Sequence, residues 1–226
     1  GKGLITVLGD VDPARVEVLM LEKLAPLPAG KAAYDPRKVL TSRSQAGTWN
    51  LKMDKEQAVL GMGFRTVDLH PEDTPVIQLI DEACSDMGSR LFNRIREELG
   101  LAYYVGAQAF SVISGGALYF YLGTAPDKLD QAEEEMRRLI ADLARQGLTP
   151  EELTRAQTTW KSSWLRAQQG NGAMADVIGW NTLNGRGADH FQNLPATMAA
   201  VDADAVRQAA ATYLAPEKAF TVRLSR

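Results

Sequence analysis

Two side chains seven residues apart carry the most suggestive chemistry in this sequence: Arg96 and Tyr103, within "SRLFNRIREELGLAYYVGAQ" from Ser89 to Gln108. A guanidinium is a planar fork of donors that keeps its charge, and a phenol can donate to an oxygen on which negative charge develops. The stretch reads as a charged helix that stops at Gly100 and turns into an aromatic strand, so both groups could point into one cleft. The same spacing fits an exposed arginine on a charged helix and a tyrosine packed in a sheet core. Spacing alone leaves both readings open.

The other reactive side chains form no constellation. His70 and His190 are the only histidines, and neither belongs to an H-x-x-E-H or H-E-x-x-H pattern. They read as surface or helix-start histidines, and no metal site is expected in this chain. Cys84 is the single cysteine, which excludes an intrachain disulfide and a cysteine metal cluster, and its apolar helical setting reads as a core thiol. There is no Gly-x-Ser-x-Gly elbow. Gly61-x-Gly63 lacks the third glycine and helix start of a dinucleotide site, so it reads as small residues in a packed strand. The run Glu133, Glu134, Glu135 reads as a solvated helix face.

The elements that must position Arg96 and Tyr103 follow from periodicity and stop signals. A strand is expected over Leu4 to Leu8, then a helix over Pro13 to Leu24 with Asp12 as N-cap and Pro13 as first helical residue. Lys31 to Gly47 reads as a connecting loop, and Thr48 to Met53 and Gln57 to Thr66 as strands. A helix is expected from Pro71 to Met87, broken by Gly88, and a short one from Ser89 to Gly100. Ala102 to Val112 and Ala117 to Gly123 read as a hairpin. Pro126 opens an amphipathic helix ending at Gly147, and Thr149-Pro150-Glu151-Glu152 is a capping box for a helix to Gln169. Further helices are expected over Ala173 to Leu183 and from Asp202 to Leu214, and a strand over Ala219 to Leu224. Strands in adjacent pairs between helices predict an α+β fold, a mainly antiparallel sheet covered by helices, with residues 1 to 226 as one domain.

The 226 residues are 45% hydrophobic and 23% charged, with net charge -3, so a sizeable core is available and nucleic acid is not an expected partner. No apolar run approaches the roughly 20 residues of a membrane-spanning helix. A soluble protein of the cytoplasm or periplasm is expected, not a membrane one, and the start does not read as a signal peptide. A strand so close to Gly1, with no methionine before it, reads as part of something longer, and equally as a processed or engineered terminus.

"SRLFNRIREELGLAYYVGAQ", followed by a hairpin and "GTAPDKLDQAEEEMRRLIADLARQGLTPEELTRAQ", resembles the C-terminal, non-zinc homologous domain of the pitrilysin or insulinase family of zinc metallopeptidases, which includes the mitochondrial processing peptidases. The similarity extends to "ITVLGDVDPARVEVLMLEKLAPLP" and "VDADAVRQAAATYLAPEKAFTVRLS". The resemblance implies half of a clam shell, completed by a homologous zinc-bearing domain or subunit that carries H-x-x-E-H. Zinc would then belong to the partner, and this chain, inactive alone, would contribute substrate binding. Arg96 and Tyr103 match the family's Arg-x6-Tyr pair. By resemblance Tyr103 would donate to the oxygen of the tetrahedral intermediate formed from a peptide, and Arg96 would orient the peptide or the Tyr ring. The surface facing the partner could also let the isolated domain form a homodimer. The alternative implied by the same fold is a non-catalytic scaffold or assembly subunit.

Overall fold

A computed structural model of the chain describes residues 3–27, 30, 46–67, 72–112 and 115–226. Its centre is a five-stranded sheet of β1 (Gly47–Lys52), β2 (Ala58–Thr66), β3 (Tyr104–Val112), β4 (Gly115–Thr124) and β5 (Phe220–Ser225). The spatial order is β1-β5-β2-β4-β3. Every pairing is antiparallel except β1 with β5, so the expected mainly antiparallel α+β architecture is present. The chain-terminal strand β5 inserts between β1 and β2, a long-range pairing that no local pattern announces.

Around the sheet run α1 (Pro13–Leu24), α2 (Asp73–Ser85), α3 (Leu129–Gln146), α4 (Pro150–Ala167), α5 (Asn171–Leu183), α6 (His190–Ala199) and α7 (Ala203–Tyr213). Alternation along the strands sends Ala58, Leu60, Met62 and Phe64 of β2 and Leu118, Phe120 and Leu122 of β4 into the core. There they meet Met136 and Leu143 of α3, Leu79 and Ile80 of α2, and Ala209 and Ala210 of α7. Each large apolar side chain buried in this way contributes about 1.5–3 kcal/mol. The other sheet face carries Trp49, Tyr104, Tyr119, Tyr121 and Phe220, which stay partly or largely exposed and touch one another in ring pairs 5.9–6.2 Å apart.

Several expectations need correction. Residues 4–8 form no strand. The short helix after Gly88 is a π-helical segment, Phe92–Glu98, opened by the Ser89 hydroxyl, which accepts from the Phe92 N–H at 3.1 Å. The helix α6 was not among the expected elements, and it holds Pro195 in its interior. Glu133 and Glu135 are not solvated: their side chains are 12% and 13% exposed and pair with Arg137 and Arg223, and with Arg94 and Arg138. The expected loop up to Gly47 lies outside the described residues except at its last positions, as do His70, the Pro71 start of α2 and the first hairpin-tip residues.

Candidate functional site

The junction that carries Arg96 and Tyr103 is held from three sides. Within it, the π-helical turn brings the Leu99 N–H to the Arg94 carbonyl at 3.2 Å, and the Leu101 N–H reaches the Ile95 carbonyl at 2.8 Å. Gly100 sits at φ +57, the left-handed region that reverses a chain direction and that an L side chain would resist. Ile95 and Leu101 anchor the turn in the core. From the sheet side, the Thr124 hydroxyl donates to the Leu101 carbonyl and the Lys128 ammonium donates to the Gly100 carbonyl at 3.0 Å. Tyr103 then enters the sheet by donating its backbone N–H to the Gly123 carbonyl at 2.8 Å.

The third side is an ion pair. Arg90 donates from Nε to Glu152 Oε1 at 2.8 Å, makes a second bond to Glu152 Oε2, and reaches the Gly147 carbonyl at 3.1 Å. Glu152 also accepts from the Thr149 N–H at 2.8 Å, so one carboxylate closes the α4 capping box and grips the segment before the π-helix. Burial pushes the Glu152 carboxyl up, but the Arg90 and Thr149 bonds outweigh it and hold the group below the usual glutamate range.

The structure places Arg96 and Tyr103 on the two sides of this braced turn without joining them. The Arg96 guanidinium lies over the Phe92 ring, 4.7 Å from its centroid, and Nε is 3.8 Å from Glu97 Oε1. Its side chain is 44% exposed. Tyr103 is 57% exposed, so it is not the core aromatic that its strand setting allowed, and among the described residues its hydroxyl has no hydrogen-bond partner. The next residue behaves differently. The Tyr104 ring lies flat across β4, where a Cβ on Gly123 would come within 2.3 Å of it, so the glycine permits that close approach.

The remaining candidates separate cleanly. Cys84 is fully buried and its thiol is pushed up to about 12, chiefly by burial, which leaves it inert. His190 begins α6, as a helix-start histidine would, and His70 lies outside the described residues. Gly61 and Gly63 lie on the exposed sheet face, and a Cβ at Gly61 would meet nothing within 4 Å. Among the described residues no group of three or more His, Cys, Asp or Glu could hold a metal ion. No helix of the described residues is long and apolar enough to cross a membrane.

Sequence reasoning missed Asp81 and Ser85 of α2, which close the outer edge of β3. Asp81 Oδ2 accepts from the Ala109 N–H at 2.9 Å, and the Ser85 hydroxyl donates to the Ala107 carbonyl at 2.8 Å. Their i, i+4 spacing on one helix face was the available signal. It also missed Phe92 as the platform for Arg96, for which the i, i+4 spacing in "FNRIR" was the signal.

Sheet, helices and braced junction together make an α+β domain in which, among the described residues, no group of side chains could hold a metal ion. The chain belongs to the Peptidase M16 inactive domain family, which matches residues 4–159. An uncharacterized zinc protease of Rickettsia felis is 31% identical over 184 residues, covering 80% of this chain and 43% of that protein. The uncharacterized zinc protease YmxG of Bacillus subtilis is 32% identical over 133 residues, covering 58% and 32%. The matched stretches thus cover less than half the length of these relatives. In fold, it matches the crystal structure of a peptidase M16 inactive domain from Pseudomonas fluorescens with a TM-score of 0.84 at 18% identity, over 96% of this chain and 52% of that one. A protease from Helicobacter pylori matches with a TM-score of 0.86 at 16% identity, over 97% and 54%.

Proposed function

We propose that this chain is the substrate-binding, C-terminal half of a zinc-dependent peptidase of the pitrilysin type, completed by a zinc-bearing domain in the same or a separate chain. The observation that carries the reading is Tyr103: a half-exposed phenol with no partner among the described residues, on a turn braced by a partly buried ion pair. Rigid support around an unsatisfied donor is what a hydrogen bond formed only in a transition state requires. Among the described residues no group of His, Cys, Asp or Glu could hold a metal ion, so this reading assigns activation of the attacking water to the partner.

In this reading Tyr103 donates to the peptide carbonyl oxygen as it acquires negative charge. Arg96, aligned along the Phe92 ring, presents its remaining N–H donors to peptide carbonyls. The central edge of β3 cannot extend the sheet with a peptide strand, because Asp81 and Ser85 already hold Ala109 and Ala107. A strand-like substrate near Tyr103 is therefore held by an edge of the partner, and this half supplies side-chain donors.

Tyr103→Phe in the assembled peptidase tests this. The expected result is a kcat reduced by about 100-fold or more, with an unfolding midpoint within error of the parent. Unchanged turnover would remove Tyr103 from the chemistry.

A further inference from the structure

Residues 3–27 contrast with the other described residues. Ten of the 21 exposed large hydrophobic side chains among the described residues fall within residues 4–27. The helix α1 has an N-cap from Asp12 and a proline at its start, yet none of its residues is buried. Beside it, Leu4 and Thr6 face α5, where a Cβ on Gly179 would lie 2.6 Å from Thr6 Oγ1, while Ile5 and Val7, together with Leu4, line a groove against α1. Among the described residues that groove, about 600 Å³, is lined by members of residues 3–27. No backbone–backbone hydrogen bond among the described residues involves residues 4–8.

A segment with apolar residues on both faces and no backbone partner among the described residues has the pattern of a strand without a sheet. The chain contains a satisfied version of the same unit. Leu8-Gly9 followed by Asp12-Pro13 and a helix parallels Leu122-Gly123 followed by Pro126 and α3, and there the strand pairs on both sides and the helix buries seven residues.

We infer that residues 4–24 form a docking arm whose strand, residues 4–8, adds to a sheet edge of the zinc-bearing domain, with α1 covering that sheet. The occupant is chosen by what the relatives contain and this chain does not. They are nearly twice its length and are called zinc proteases, and the part they share with this chain includes the stretch matched here by a domain described as inactive. The inference rests on the reading of this chain as one half of a peptidase. It also refines the expectation of one domain over residues 1–226, because the arm belongs energetically to the neighbour.

The test mixes the 226-residue chain with a separately expressed H-x-x-E-H domain from the same genome. It measures Kd by titration calorimetry, amide hydrogen exchange over residues 4–8, and peptidase activity. The arm predicts amides that exchange freely in the isolated chain and become protected in the complex. In the Ile5→Asp/Val7→Asp variant the Kd should rise by more than about tenfold while the unfolding midpoint of the isolated chain is unchanged. Leu21→Asp on α1 should weaken association in the same direction. A complex whose residues 4–8 stay unprotected and whose Kd is indifferent to these variants overturns the arm and leaves the peptidase reading intact if that complex cleaves peptides. Wild-type chain that does not bind the zinc-bearing domain overturns both. Protection of residues 4–8 in a concentration-dependent homodimer, unaffected by the added domain, overturns the choice of occupant.

Discussion

The helices α1 and α3 begin alike and end in opposite environments. Each follows an apolar run, a leucine–glycine pair and a proline, and each alternates apolar and charged residues at helical spacing. The second lies on the sheet with Met136, Ile140 and Leu143 buried, and the first buries nothing. Amphipathic sequence thus gives the helix, but only a neighbouring sheet gives it stability. The contrast is sharpest in mutations to alanine. Leu143→Ala should cost the isolated chain about 2–5 kcal/mol, because a fully enclosed side chain leaves a cavity. Leu21→Ala in α1 should change it by no more than about 0.5 kcal/mol. Urea denaturation of both variants decides the matter, and a loss at Leu21 comparable to that at Leu143 would show that α1 is already packed.

A smaller effect is expected at the brace of the candidate site. Glu152→Ala removes the bidentate partner of Arg90 and the return bond of the capping box together. Both side chains are mostly enclosed, at 17% and 13% exposure, so the stranded guanidinium should lower stability by roughly 3 kcal/mol. Arg90 precedes the π-helical segment that carries Arg96, so hydrogen exchange should also quicken across residues 92–101. A global loss of stability with unchanged exchange there would mean that the pair serves α4 and does not hold the junction.

What could be read from the sequence divides along the same line. Features set by neighbours in the chain were legible: the Asp12–Pro13 start of α1, the Thr149 to Glu152 capping box, the stop at Gly100 and the Arg96–Tyr103 spacing. Features set by distant partners were not. The insertion of β5 beside β1 and the Arg90–Glu152 grip depend on contacts tens to hundreds of residues apart. The strand expected at residues 4–8 was misread for a related reason. Its pattern is that of a strand, but among the described residues there is no edge for it to join. In α6 the opposite holds, because a local stop signal, Pro195, is overridden by packing that buries Met198.

The smallest predicted effect concerns how edges are closed, since α2 satisfies β3 where nothing satisfies the arm. Burial raises the Asp81 carboxyl above its ordinary value of 3.8, although its bonds to the Ala109 N–H and the Ser85 hydroxyl pull it back. A carboxyl raised on folding holds its proton more tightly in the folded state. Its contribution is therefore complete below about pH 3.8 and is lost as pH rises through the raised value. Glu82 acts in the same sense, raised by burial and then by Asp81 and Asp86. Glu152 has the opposite sign: its contribution is present above about 4.5 and is lost as pH falls through its lowered value. Asp81→Asn keeps an acceptor for the Ala109 N–H and removes the buried charge, so it should gain on the wild type as pH rises toward neutrality. Urea midpoints across this range would show the two curves diverging above pH 3.8; parallel curves would mean that water reaches Asp81 and that the β3 edge is less firmly closed than its hydrogen bonds imply.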